Sequence, residues 1–123
     1  MVIDTSVFIE HLRSKDKSRT TLASIPSGTS LAVSSITLFE LFLGATTEQK
    51  NNDVLQLTED IISLPFTEEI AEKAAEVFHQ LKSKNQVIEF RDLFIASTAL
   101  IYQLPIKTIN KNHFNRIDGL LVL

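Results

Sequence analysis

Short apolar segments alternate with helical patterns along the whole chain, and this alternation is the strongest constraint on the fold. MVID, LAVSS, IISLPF and LPIKTI, with LLVL at the end, are each typical of a buried strand. The segments between them carry apolar residues at helical spacing. Strands separated by helices predict a mostly parallel sheet that is covered on both faces. In such sheets ligands bind beyond the carboxyl ends of the strands.

Several helix boundaries are marked in the sequence. ITLFELFLGA predicts a helix that stops at Gly44. Thr46 and Gln49 have the spacing of a capping box, which predicts a further helix to about residue 60. Residues 67–84 are strongly amphipathic, and RDLFIASTALIYQ predicts a helix that is more apolar and therefore more deeply buried.

Composition excludes several classes of protein. The chain has no cysteine, which rules out disulfides, zinc–thiolate sites and thiol catalysis. Its longest apolar runs fall short of the roughly 20 residues that span a bilayer, and Asp4 interrupts any signal-peptide core. With 123 residues, we expect one domain over residues 1–123, soluble and cytoplasmic, with no membrane association.

Charge is unevenly distributed, although the net charge is only −3. Acidic residues are concentrated in residues 40–76, and basic residues are more frequent in 13–19 and 77–123. An anionic ligand is therefore expected to approach the two ends of the chain rather than its middle.

Three acids lie in apolar surroundings just after a strand or near the start of a helix. Each has an ordinary structural explanation: Asp4 as a helix cap, Glu40 as the second half of a capping box with Thr37, and Asp92 as a partner of Arg91. If their helix starts converge, however, three carboxylates meet in a small volume and repel one another unless a cation intervenes.

A carboxylate cluster without cysteine suits a hard divalent cation, Mg²⁺ or alternatively Mn²⁺. Such ions activate water and stabilise charge on a phosphoryl group during transfer. The expected chemistry is therefore hydrolysis of a phosphodiester or a related phosphate.

Four blocks of the sequence resemble the signature blocks of PIN-domain ribonucleases, most closely VapC-type toxins of bacterial toxin–antitoxin pairs. They are VIDTSVFIEHLR, SSITLFELFLGA, FRDLFIASTAL and IKTINKNHFNRIDGLLVL. The resemblance implies a three-layer α/β/α sandwich and metal-dependent endonucleolytic cleavage of RNA. It also implies that Asp4, Glu40 and Asp92 are the catalytic, metal-binding acids.

Other residues of these blocks are candidates for auxiliary roles. Thr5 and Ser6 lie beside Asp4 and offer hydroxyls or amides to metal-bound water or phosphate. Where the family often has a fourth acid, this chain has Asn110 and His113. Asn110 brings a carbonyl oxygen without charge, and His113 is either a phosphate or leaving-group contact or a surface residue. Glu89 replaces a common glycine and is either an added ligand or a helix start.

The expected partners are RNA, a second copy of the chain and a small antitoxin. Candidate RNA-binding residues are basic: Arg13, Lys15, Lys17, Arg91, Lys107, Lys111 and Arg116. By resemblance, the protein is a homodimer and is inhibited by an antitoxin segment lying across the active-site groove. Candidate apolar contacts lie on the early helices: Phe8, Leu12, Leu38 and Phe42.

Three alternatives remain open from the residues. One is an inactive PIN-fold binding protein, which the missing fourth acid favours. A receiver-like signalling domain would need a pair of acids after the first strand and a phosphorylatable aspartate after the third, and neither is present. A haloacid-type phosphatase would need a second aspartate where Ser6 stands.

Overall fold

Four short parallel strands form one sheet in the computed structural model, which describes residues 1–123. The strands are β1 (Val2–Ile3), β2 (Ala32–Ser34), β3 (Ile62–Leu64) and β4 (Ile106–Lys107). Their order across the sheet is β3-β2-β1-β4, and every neighbouring pair is parallel. The predicted parallel sheet is therefore confirmed, with β1 at its centre beside β2 and β4.

Six helices connect and cover the strands. They are α1 (Thr5–Arg13), α2 (Ser35–Gly44), α3 (Glu48–Thr58), α4 (Glu68–Ser83), α5 (Phe90–Ile101) and α6 (Lys111–Phe114), with a 3₁₀ turn at Lys17–Arg19. The predicted end of α2 at Gly44 and the deep burial of α5 are both confirmed. None of these helices has the combination of length and apolar character needed to cross a membrane.

Each central strand sends successive side chains into opposite layers of the core. Val2 and Ala32 pack with α4 and α5 on one face, while Ile3 and Val33 pack with α1 on the other. This alternation follows from the period of two in an extended chain. Both faces of the sheet are covered, so the structure is a three-layer α/β/α sandwich.

The cap of α3 differs by one residue from the prediction. Thr47, not Thr46, precedes the helix, and its hydroxyl accepts a hydrogen bond from the Lys50 N–H at 3.2 Å. Gln49 does not complete a capping box, because its side chain donates to Asp53 within the helix. The two adjacent threonines offer the same side chain, so only the backbone path decides which one caps.

The C-terminal segment LLVL does not form the predicted fifth strand. Val122 makes one isolated parallel bridge with Ile106, and the Leu123 N–H donates to the Ile106 carbonyl at 2.8 Å. Because β4 itself is only two residues long, it offers too little backbone for a continuous ladder.

Two groups of residues have roles other than those predicted. Phe8, a candidate contact with partners, is completely buried in the core, whereas Leu12 and Leu38 are half-buried and Phe42 is exposed. Lys17, a candidate RNA contact, donates through Nζ to three carbonyls at the end of α1, at 2.7–3.1 Å. It thereby caps the helix and complements its dipole.

Replacing Phe8 by alanine tests the assignment of this residue to the core. Phe8 has no exposed area, and Phe39 on α2 is 59% exposed. We expect Phe8→Ala to lower the free energy of unfolding by about 3–5 kcal/mol, and Phe39→Ala to change it by about 0.5 kcal/mol or less. Urea denaturation of both variants measures this, and equal effects would contradict the core assignment.

His11 gives the fold a dependence on pH. Burial, and secondarily the charge of Lys17, lower the pKa of His11 below its ordinary value of 6.5, although Glu10 opposes this. Its Nδ1 lies 2.6 Å from the Thr20 hydroxyl. Because the unfolded chain binds the proton more tightly, stability falls as the pH drops through about 6.5.

We expect His11→Gln, which keeps a polar partner for Thr20, to lose less stability than the wild type between about pH 7.5 and pH 5.5. Urea denaturation at both pH values checks this. An identical loss in the two proteins would show that His11 does not carry the effect.

Candidate active site

The site lies at the carboxyl ends of β1 and β4, where the order of the strands reverses. The chain leaves β1 for β2 on one side and returns as β4 on the other. The register pairs Ile3 with Lys107, so Asp4 and Thr108 follow on adjacent strands, and the Asp4 N–H donates to the Lys107 carbonyl at 2.9 Å. In open α/β sheets such a reversal forms the crevice where ligands bind.

Asp4 is buried and held by hydroxyl groups. The residue is only 1% exposed, and its Oδ2 accepts hydrogen bonds from Ser6 Oγ at 2.6 Å and Thr108 Oγ1 at 2.8 Å. Asp4 occupies the N-cap position of α1, as the helix-cap interpretation expects, but its side chain accepts no hydrogen bond from the amides of that helix, so capping does not explain the carboxylate.

The two hydroxyls around Asp4 are themselves fixed by the backbone. The Asn110 N–H donates to Thr108 Oγ1 at 2.9 Å, and the Ile109 N–H donates to Ser6 Oγ at 3.3 Å. Because each oxygen accepts from an amide, its proton is directed to the carboxylate. The loop after β4 therefore orients the donors that keep the buried charge of Asp4 compensated.

Glu40 lies in the middle of α2, and its carboxylate contacts Thr5, the residue after Asp4. Ser34 caps α2 by accepting from the Ile36 N–H, so Glu40 is too far along the helix to complete a capping box with Thr37, and that interpretation is wrong. Its Oε1 accepts from Thr5 Oγ1 at 2.9 Å, and Thr5 Oγ1 is also 2.9 Å from the buried Thr37 hydroxyl.

Arg91 joins the Glu40 carboxylate to a second acid. Its Nη1 donates to Glu40 Oε2 at 3.1 Å, and its Nη2 donates to Glu89 Oε2 at 3.1 Å. The hydrogen bond with Glu89, followed by the charges of Glu40 and Glu89, raises the pKa of Arg91. Arg91 thus pairs with these two residues and not with Asp92, and Glu89, which precedes α5, caps no amide of that helix.

Asp92 lies in the first turn of α5, and its side chain is 19% exposed. His113 Nδ1 lies 3.3 Å from its Oδ2, which brings the loop histidine into the site. Burial, and then the charge of Asp4, raise the pKa of Asp92, although the hydrogen bond with His113 opposes this. Two of the three acids are therefore close enough for one charge to disfavour the other.

The donors fit a divalent cation in chemistry, but they are not arranged as a finished coordination sphere. Asp4, Glu40 and Asp92 offer only oxygen, which Mg²⁺ and Mn²⁺ prefer. No group of three or more histidine, cysteine, aspartate or glutamate side chains is placed to hold an ion as the side chains stand. Each carboxylate instead has a partner within the protein, and Glu40 is turned towards Arg91.

The basic residues differ in their relation to this site. Arg13 lines a groove of about 230 Å³ that also contains Glu40, and Lys111 lines a polar cavity of about 270 Å³ with Asn110 and His113. Lys15 is exposed just after α1, and Lys107 is half-buried at the end of β4. Arg116 donates to the Val87 carbonyl at 3.3 Å.

Sequence reasoning missed the role of Thr108 and Thr37. Thr108 follows the strand IK as Asp4 follows the strand VI, so the available signal is a polar residue at the equivalent end of a neighbouring strand. Only the register of β1 and β4, however, brings the two side chains into contact. Asn110, an auxiliary candidate from the sequence, donates its backbone N–H to Thr108 Oγ1.

Residues 1–120 match the sequence model that describes the PIN domain. The chain belongs to the PIN domain family. Among its relatives, ribonuclease VapC1 of Methanocaldococcus jannaschii is 30% identical over 118 residues, which make up 95% of this chain and 80% of the relative. The resemblance drawn from the four sequence blocks is confirmed.

Solved structures have the same fold as this PIN domain. VapBC-1 from nontypeable Haemophilus influenzae superposes with a TM-score of 0.83 at 28% identity, covering 99% of this chain and 95% of that chain. A member of the VapBC family of toxin–antitoxin systems, VapBC-5 from Mycobacterium tuberculosis, superposes with a TM-score of 0.73 at 29% identity, covering 99% and 94%. The expectation of a PIN-like sandwich is confirmed.

Removing the Thr108 hydroxyl tests how Asp4 is held. Thr108→Val keeps the shape of a residue that is 2% exposed but removes one donor to Asp4 and the acceptor of the Asn110 N–H. We expect a loss of about 1.5–3 kcal/mol in the free energy of unfolding in EDTA, because a hydrogen bond to a buried charge is lost.

Thr98→Val is the matched control. Thr98 is also buried, but its hydroxyl donates to the Phe94 carbonyl within its own helix at 2.8 Å. We expect this substitution to cost about 1 kcal/mol or less. Equal losses in the two variants, measured by urea denaturation, would refute a special role for Thr108.

Proposed function

We propose that residues 1–123 form a single PIN domain that acts as a metal-dependent endoribonuclease, the toxin of a toxin–antitoxin pair. The observation that supports the proposal is that Asp4, Glu40 and Asp92, from three separate segments of a PIN fold, are connected by one electrostatic influence and one hydrogen bond at the carboxyl end of β1. Asp4 influences the pKa of Asp92, and Glu40 is bonded to Thr5, which is next to Asp4 in the chain.

In this proposal, Asp4, Glu40 and Asp92 hold Mg²⁺ or Mn²⁺. When bound, the ion neutralises the repulsion between the acids, activates a water molecule for attack and stabilises charge on the scissile phosphate. Thr5, Ser6 and Thr108 keep the carboxylates of Asp4 and Glu40 in place through the hydrogen bonds described above. Glu40, which accepts a hydrogen bond from Arg91, would supply its carboxylate to such an ion.

The basic side chains that border the crevice bind the RNA backbone. Arg13 and Lys111 are exposed, one in the groove that contains Glu40 and the other in the cavity that contains His113. Their charges offset the repulsion between phosphate and the acidic centre. Lys15 and Arg116 extend the same contact. His113, exposed and bonded to Asp92, is placed to contact phosphate or to protonate the leaving oxygen.

The groove beside Glu40 is the candidate site for the antitoxin. α1, α2 and α3 form its walls, with apolar side chains from Ile9, Leu12 and Leu41, and it contains Glu40 itself. A partner segment with apolar side chains would fill the groove and block Glu40 at the same time. The relatives with solved structures are VapBC assemblies, which supports a partner of this kind. A homodimer and a cytoplasmic location belong to the same proposal.

RNA cleavage tests the proposal. Purified protein is incubated with an end-labelled structured RNA in Mg²⁺, in Mn²⁺ or in EDTA, beside Asp4→Asn, Glu40→Gln and Asp92→Asn. We expect cleavage to require the metal and to fall at least about 100-fold in each variant. Loss of a residue that only hydrogen-bonds to a metal ligand already costs about 10–100-fold, and loss of a ligand itself should cost no less. Circular dichroism verifies the fold of each variant.

Asp53→Asn is the matched control. Asp53 borders the groove with Glu40, but it is bonded to Gln49 on the surface of α3, so its loss should leave cleavage unchanged. Cleavage that persists in EDTA would contradict the mechanism. Cleavage by Asp4→Asn, Glu40→Gln and Asp92→Asn at the wild-type rate would contradict it as well. A folded wild-type protein that cleaves no RNA with either metal would favour the inactive binding protein.

A further inference from the structure

Arg91 is the only arginine or lysine that forms an ion pair with any of the three acids. Its Nη1 contacts Glu40 Oε2, while Thr5 holds the other oxygen of Glu40. Its Nη2 contacts Glu89, which precedes α5 and is itself largely exposed. One guanidinium therefore connects an acid of the proposed metal site to an acid outside it.

We propose that Arg91 is a positioning residue that exchanges one partner during the reaction cycle. Without metal it neutralises Glu40; when Glu40 binds the ion, the freed guanidinium edge binds an RNA phosphate. This inference rests on the proposed function and adds a role for Arg91 that couples metal binding to RNA binding.

The contacts of Glu40 favour such an exchange. Both of its carboxylate oxygens accept hydrogen bonds, Oε1 from Thr5 and Oε2 from Arg91. Each oxygen keeps a second lone pair, but an ion bound to this carboxylate would lie close to the guanidinium, and the cationic donor is the one that a second cation repels. Thr5 is a buried hydroxyl and keeps its bond, so Glu40 stays at the crevice while Arg91 leaves.

Glu89 keeps Arg91 close to the site after the exchange. The Nη2–Glu89 contact uses the other end of the guanidinium, so losing Glu40 frees Nη1 without releasing the side chain. The Arg91 side chain is 56% exposed, which allows a bulky phosphate to approach it. A planar guanidinium with several donors suits simultaneous contact with a carboxylate and a phosphate.

A purely structural role for Arg91 predicts a different outcome. If the residue only ties α5 to α2, its removal loosens the site and weakens both metal binding and RNA binding. Exchange of partners predicts effects of opposite sign, because removing Arg91 removes a competitor for Glu40 and also a ligand for phosphate. Opposite signs from one substitution distinguish the two roles.

Titration of the metal-free protein with Mn²⁺ by calorimetry measures the first effect. We expect Arg91→Gln to bind Mn²⁺ about two- to fivefold more tightly than the wild type, the range that corresponds to an exposed ion pair. Lys50→Gln is the control for charge, because Lys50 borders the same groove as Glu40 but pairs with no acid. Its Mn²⁺ affinity should stay within about twofold of the wild type.

Single-turnover cleavage at saturating Mn²⁺ measures the second effect. We expect Arg91→Gln to require a higher enzyme concentration for half-maximal rate. In a plot of the logarithm of that concentration against the logarithm of the salt concentration, the slope should fall by about 0.7–0.9. This is the change expected for the loss of one phosphate contact.

Unchanged or weaker Mn²⁺ binding in Arg91→Gln, equal tightening in Lys50→Gln, or an unchanged salt dependence would each overturn the exchange. Asp4→Asn in the same titration separates this outcome from failure of the proposed function. If Asp4→Asn loses Mn²⁺ binding while Arg91→Gln behaves like the wild type, only the role of Arg91 is wrong. If Asp4→Asn binds Mn²⁺ like the wild type, the metal site and the inference built on it are both wrong.

Discussion

The parallel pairing of β1 with both β2 and β4 is the constraint on which the rest of the structure depends. Val2 and Ile3 are completely buried, and they direct their side chains into opposite layers of the core. The same pairing ends β1 beside β4, which places Asp4 next to Thr108. Two residues therefore set both the layering of the sandwich and the position of its most buried acid.

The three acids of the site are stabilised by different means. Asp4 has hydroxyl donors that the backbone orients, whereas Glu40 has a hydroxyl and a guanidinium. Asp92 has a histidine, and burial together with the charge of Asp4 still raises its pKa. Neutral donors fix a carboxylate without adding a positive charge, as at Asp4, whereas Arg91 balances the charge of Glu40.

Patterns within short segments predicted much of the fold and singled out the three acids on which the proposed function depends. The period of two in VI and AV and the helical spacing of α4 and α5 are local properties, and they determine the layers. Contacts between distant segments could be seen only in the structure. Glu40 and Arg91 are 51 residues apart in the chain, and Asp4 and Thr108 are 104 residues apart. The cap at Thr47 needed the backbone path as well, since its neighbour has the same side chain.

The separation of β1 from β4 also affects how the protein is made. β1 leaves the ribosome before the other strands, but its second neighbour begins at Ile106, after five of the six helices. Until that strand emerges, one edge of β1 is open and the Asp4 carboxylate lacks the Thr108 hydroxyl. Such long-range pairing forms late in folding. A nascent chain from which β4 has not yet emerged therefore lacks the hydroxyl contact that completes the surroundings of Asp4.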